Sequence, residues 1–209
     1  MKRSFAFVLI TALAICASQE CQAQAKKNPE ANKLAREGAE AAKNQDFDRA
    51  VDLLKKATAM DHKYADELSA VYQQRGYAAA NDQRYGDAIN DYDEALKLTP
   101  QEAPRIREQR GAVEMKIQDY EKALADYSEL IKQKPNEIRY INYRAYIYEL
   151  KNDLQNSLAD NEKILKLDPN NQDAKARKQR IEQKIAENTP LTPPPRSPTP
   201  SPAGKKKKP

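Results

Sequence analysis

Residues 85–100 read Tyr-Gly-Asp-Ala-Ile-Asn-Asp-Tyr-Asp-Glu-Ala-Leu-Lys-Leu-Thr-Pro, and their pattern returns along the chain. Ala88, Tyr92 and Ala95 are four and three apart, so they share one helical face, and Pro100 ends the run. The same face recurs as Ala123, Tyr127, Leu130 and Pro135, then as Ser157, Asn161, Ile164 and Pro169. Upstream it reads Ala50, Leu54 and Ala57, with His62 where proline would stand. The leading small residues Ala50, Ala88, Ala123 and Ser157 are separated by 38, 35 and 34 residues. A period near 34 requires stacked units, because one helix pair cannot bury its apolar face alone.

A second helix precedes each of these. Twelve residues before each leading residue stands another small one: Gly38, Gly76, Gly111 and Ala145. Four residues before those come Leu34, Tyr72, Arg107 and Ile141, and three after them Ala41, Ala79, Glu114 and Tyr148. On these residues, across roughly 30–170, the chain resembles the tetratricopeptide repeat family, whose pattern is an aromatic, Leu-Gly, Tyr, a later Ala, an aromatic and Pro. The resemblance implies an all-α fold, a right-handed α-solenoid of four helix-turn-helix repeats with a C-terminal capping helix. The units are expected at about 31–64, 65–102, 104–137 and 138–171, with the cap at 172–188. Glu37, Ala41, Arg107, Glu114 and Asn161 depart from the pattern and predict looser packing at their layers.

The expected first helices of the last three units span roughly 66–81, 104–116 and 138–150, and the second helices 85–98, 120–133 and 154–167. Asn28-Pro29 caps and opens the first unit, proline being tolerated at the first helical position. Ala65-Asp-Glu-Leu68 adds about one helical turn before the second unit. Arg75, Arg110 and Arg144 each precede the small first-helix residue, with Asp91, Asp126 and Asp160 sixteen residues later. Unit one lacks both halves, having Glu37 and Leu53. This predicts an Arg–Asp contact joining the two helices of each remaining unit.

The ends differ from the body. Lys2-Arg3, an apolar run from Phe5 to about Ala17 and Ala23-Gln-Ala25 form the pattern of a secretory signal peptide over 1–25. The alternative is a retained anchor, though about 13 apolar residues fall short of the roughly 20 a spanning helix needs. The expected location is outside the cytoplasm, in a bacterial periplasm or secreted. Cys16 and Cys21 both fall before the cleavage site, so the mature chain offers no thiol for disulfides, catalysis or metal binding. Residues 189–202 are dense in proline and predict an extended, disordered tail ending in Lys205, Lys206, Lys207 and Lys208. The N-terminal segment carries +1 and the tail +5 of a total of +5, which leaves −1 for residues 26–188. A nearly neutral body argues against specific nucleic-acid binding.

Chemistry is sparse. His62 is the lone histidine and sits in a turn, and no glycine-rich phosphate loop or metal-ligand spacing occurs. The expectation is a non-catalytic protein with no cofactor and no metal, probing a protein or peptide partner, and monomeric. Carrying the family pattern over, the first helices face a groove lined by Gln73, Tyr77, Arg105, Gln109, Arg139, Asn142, Tyr143 and Tyr146, with Asn32, Ala35, Ala39 and Ala112 as smaller contributors. Tyrosine and arginine are frequent anchors of partners. Relatives that clamp acidic chaperone tails use Lys and Asn where this chain has Ala35, Ala39, Gln74, Arg105 and Gln109, so that clamp is not expected. The resulting reading is an interaction scaffold of the cell envelope. Its alternative is an envelope-associated factor whose lysine tail binds anionic cell-wall polymer or lipid.

Overall fold

The computed structural model describes residues 28–188, and the signal-peptide and tail expectations lie outside them. The order is α1 (Pro29–Lys43), α2 (Phe47–Met60), a 3₁₀ turn (His62–Tyr64), α3 (Ala65–Asn81), α4 (Tyr85–Leu98), a second 3₁₀ turn (Pro100–Glu102), α5 (Ala103–Lys116) and α6 (Tyr120–Gln133), then α7 (Ile138–Leu150), α8 (Leu154–Leu167) and α9 (Gln172–Asn188). The six expected helices of repeats two to four start and end within one residue of these bounds. The extra turn also appears: α3 has 17 residues, against 14 for α5 and 13 for α7. The helices form two compact units, α1–α6 and α7–α9, with the division after Pro135. No described helix is long and apolar enough to cross a membrane.

Each hairpin turns the same way. The residue after the first helix's C-cap has positive φ in all four: Gln45 (62°), Gln83 (63°), Gln118 (63°) and Asn152 (58°). That left-handed residue lets the next N–H reach back to the helix: Asp46, Arg84, Asp119 and Asp153 donate to the carbonyls of Ala41, Ala79, Glu114 and Tyr148 at 2.8–2.9 Å. Asp46, Asp119 and Asp153 then cap the second helix with their carboxylates, whereas Arg84 supplies no side-chain cap.

The small residues let helices touch. A Cβ on Gly76 would sit 3.2 Å from the Ala88 carbonyl and from Tyr92, and one on Gly111 would lie 3.1 Å from the Tyr127 ring. Tyr92 and Tyr127 fill the space this opens and are fully buried. In repeat four Ala145 occupies the glycine position and Asn161 the tyrosine position. There Ser157 Oγ donates to the Ala145 carbonyl at 2.8 Å and Asn161 Nδ2 to the Ser157 carbonyl at 2.7 Å. The larger first-helix residue is matched by a smaller, polar second-helix partner.

The expected Arg–Asp contacts form in all three units as two-pronged pairs. Arg75 meets Asp91 at 2.9 and 2.7 Å, Arg110 meets Asp126 at 2.8 and 2.6 Å, and Arg144 meets Asp160 at 2.8 and 2.7 Å. The three aspartates are buried, and hydrogen bonding to them holds each arginine above its ordinary range. The sequence spacing did not reveal that two of the arginines also tie repeats together. Arg75 reaches Asp48 of repeat one at 2.8 Å, and Arg110 reaches Asp93 of repeat two at 2.5 Å.

Candidate partner-binding surface

In the first unit the first-helix face is carried by α1, α3 and α5. Asn32, Ala35, Arg36 and Ala39 on α1, with Tyr64 and Glu67, line a cavity of about 470 Å³. Ala35 lies in its floor and Ala39 is exposed, so small side chains leave this space open. Asn32 Oδ1 accepts from Lys63 Nζ at 3.1 Å and from the Tyr64 hydroxyl, which fixes one rim. Tyr77 projects into solvent at 59% exposure, and Arg105 and Ala112 are exposed on α5. Gln109 is half-buried, its Oε1 covered without a hydrogen-bond partner.

Gln73 corrects the groove expectation. It is 3% exposed, and its Nε2 donates to Ser69 Oγ at 3.4 Å. Ser69 in turn shares a 2.6 Å hydrogen bond with Thr99, also buried, below α4. The small Ser69 one turn earlier leaves a polar hole, and Gln73 folds inward to fill it.

In the second unit α7 presents Arg139, Tyr143 and Tyr146. The two tyrosines are 38% and 43% exposed, and the Arg139 guanidinium lies 5.2 Å from the Tyr140 ring centre. Asn142 is less available than expected, because its Oδ1 accepts from Arg177 of α9 at 2.6 Å. The capping helix also gathers on Glu149, which Arg180 reaches at 3.0 Å and Lys184 at 3.7 Å. Lys205–Lys208 lie outside the described residues.

These tyrosines divide by helix face, Tyr72 and Tyr77 sharing α3, and Tyr140, Tyr143 and Tyr146 sharing α7. Those facing a neighbouring helix, Tyr72, Tyr92, Tyr127 and Tyr140, are 0–3% exposed, while Tyr77, Tyr143 and Tyr146 on first helices stand in water. Burial pushes the Tyr92 hydroxyl up to about 12, with the adjacent Asp91 adding to the effect.

Helix pairs in constant register, joined by one turn type, with exposed aromatics on the first helices, define an all-α repeat protein of the solenoid class. A family model described as tetratricopeptide repeat matches residues 35–103, 73–138 and 109–172. The chain belongs to the tetratricopeptide repeat family. No curated protein matches it by sequence. Among solved structures, it is similar to a tetratricopeptide repeat protein from Parabacteroides merdae, at 20% identity and a TM-score of 0.58, over 76% of this chain and 61% of the other. It is also similar to YrrB, described as a TPR protein with an unusual peptide-binding site, at 15% identity and a TM-score of 0.56, over 80% and 84% of the two chains. A third is the first TPR of Spaghetti (RPAP3) bound to an HSP90 peptide, at 20% identity and a TM-score of 0.51, over 58% and 95%. At these identities the likeness is one of fold.

Proposed function

We propose that the protein is a non-catalytic scaffold that holds a peptide or protein partner on the first-helix faces of its repeats. The observation that carries this reading is the exposure of Tyr77, Tyr143 and Tyr146 on helices that bury Tyr72 and Tyr140. Large stiff rings left in water contribute binding energy with little ordering cost. The open cavity over Ala35 and Ala39 adds room for a bulky side chain of the partner. YrrB and the RPAP3 repeat, which share the fold, are described with peptide sites. Arg105 is the one cation among the residues at the acidic-tail clamp positions, so the partner is gripped by shape and hydrogen bonds rather than through a terminal carboxylate. The N-terminal pattern sets this activity outside the cytoplasm, at the cell envelope.

The test selects peptides from a displayed library on residues 26–209 and measures the winners by calorimetry. Tyr77→Ala and Tyr146→Ala are each expected to weaken the peptides of their own unit at least tenfold, while residues 26–188 bind unchanged. Unaltered affinity in both variants would overturn the reading. Salt-sensitive binding that disappears with residues 189–209 would replace it with tail-mediated attachment to an anionic surface. Export is read separately, from the mature N-terminus of the protein recovered outside the cytoplasm.

A further inference from the structure

A second cavity, of about 510 Å³, lies away from the first-helix face, between α4, α5 and α6. It occupies the layer where repeat three departs from the family pattern, with Arg107 in the aromatic position and Glu114 in the tyrosine position. Both of these polar side chains line the cleft.

Most of its charges neutralise one another. Arg110 is held by Asp126 and Asp93. Lys132 pairs with Glu129 at 3.1 Å, and Lys122 with Asp119 at 2.7 Å. Two atoms are left over. Glu114 is 2% exposed, its nearest cation is the Arg110 Nε at 3.7 Å, and its Oε2 has no hydrogen-bond partner. Arg107 Nε is likewise buried and unpartnered. Buried orphans of this kind are costly, and here they are one acceptor and one N–H donor on two residues that line the same cleft. Arg107 is the more loosely held of the two arginines on Asp126. A single 3.2 Å bond ties it to Asp126, which keeps two shorter bonds from Arg110 if the Arg107 guanidinium shifts to meet a ligand.

We propose that this cleft binds the side-chain carboxamide of a glutamine or asparagine presented by a polypeptide. A carboxamide offers one N–H to Glu114 Oε2 and one carbonyl to Arg107 Nε, and it brings no charge into a cleft whose charges already balance. A carboxylate would face Glu114 and Asp126, and an ammonium would face Arg107 and Arg110. The site is distinct from the first-helix face and does not depend on the function proposed for that face.

The prediction also has a proton signature. Burial first, then the charge of Asp126, pushes the Glu114 carboxyl up to about 7, with Arg110 opposing. A donor at Oε2 stabilises the carboxylate, so binding should draw this titration downward.

The experiment uses residues 26–209 and four capped tripeptides, Ac-Ala-X-Ala-NH2, in which X is Gln, Glu, Lys or Ala. Carbon NMR follows the Glu114 carboxyl and nitrogen NMR the Arg107 Nε. The Gln peptide is expected to perturb both signals, to bind at least fivefold more tightly than the Ala peptide, and to lower the Glu114 midpoint. Glu114→Met fills the position with an apolar chain of similar length that keeps the fold, and it should abolish the preference for Gln. Stronger binding of the Glu or Lys peptide would overturn the assignment. So would an unchanged Gln preference in Glu114→Met, or no perturbation by any peptide, which would leave only water in the cleft.

Discussion

Repeats two and three share a frame and differ in how one layer is filled. In repeat two Tyr72 and Ala79 pack the layer as an apolar pair, and Arg75 lies 5.6 Å from the Tyr72 ring centre while gripping Asp91. In repeat three Arg107 and Glu114 stand at those positions and line a cleft, and Asp126 collects two arginines. Glycine, tyrosine and the Arg–Asp pair are common to both. The shared elements therefore set the helix-pair geometry, and the layer residues can vary without losing it. What variation changes is the charge state of the layer.

The largest expected effect separates the two aspartates. Removing one partner of a buried ion pair typically costs about 3 kcal/mol, because the other charge is stranded. Asp91→Ala leaves Arg75 with only Asp48, whose side chain is 91% exposed and offers a screened contact. Asp126→Ala also releases Arg107, whose side chain is 30% exposed and can turn to water, but it leaves Arg110 with Asp93 and with Glu114, which is mostly ionised at pH 7.5 and loses an acidic neighbour. Chemical denaturation at pH 7.5 should therefore show Asp91→Ala as the more damaging, by about 1 kcal/mol. Equal losses, or the reverse order, would mean that Glu114 does not substitute for Asp126.

A smaller effect tests the layer itself. An unfolded glutamate releases its proton near 4.5, whereas folded Glu114 holds it up to about 7. The folded state is thus favoured by this proton below about 4.5, and that contribution fades as pH rises through 7. Glu114→Gln stays neutral throughout. Relative to wild type it should gain stability between pH 4 and pH 8, by at most about 3 kcal/mol. Repeat two, with Ala79 in that place, has no such group, and Ala79→Gln should produce no comparable pH dependence. A flat difference between Glu114→Gln and wild type would show that the carboxyl is solvated.

How much of this could be read from the sequence follows from how far apart the interacting residues are. The helix spans and the Arg–Asp pairs were legible because they repeat at fixed spacing, and three aligned copies disclose a contact that one would not. The second partners of the arginines were not, since Asp48 lies 27 residues before Arg75 whereas Asp93 lies 17 before Arg110. Gln73 was misplaced for a similar reason. Helical position puts it on the groove, but the hole beside Ser69 and Thr99 exists only once α4 is packed. The departures Arg107 and Glu114 were visible as departures, and looser packing was expected there. The cleft and its orphaned atoms needed the neighbouring helix. The left-handed turn residues gave no signal, because glutamine at three of the four positions is not a residue that announces positive φ.

That turn supplies the mildest comparison. Repeats one, three and four follow it with an aspartate that caps the second helix, Asp119 accepting from Lys122 N at 3.5 Å in repeat three. Repeat two has Arg84, whose charge is spent on exposed contacts to Asp82 and Asp87, and α4 begins with no side-chain cap. Arg84 also puts a positive charge at the positive end of a helix dipole, with Asp87 as partial compensation. Arg84→Asp should install the missing cap and remove the unfavourable charge, raising stability by about 1 kcal/mol. The reciprocal change, Asp119→Arg, should lower it by a similar amount. Thermal unfolding of both variants checks the pair. A gain in the first without a loss in the second would show that repeat two is limited by the crowding of Asp82, Asp87 and their neighbours rather than by the missing cap.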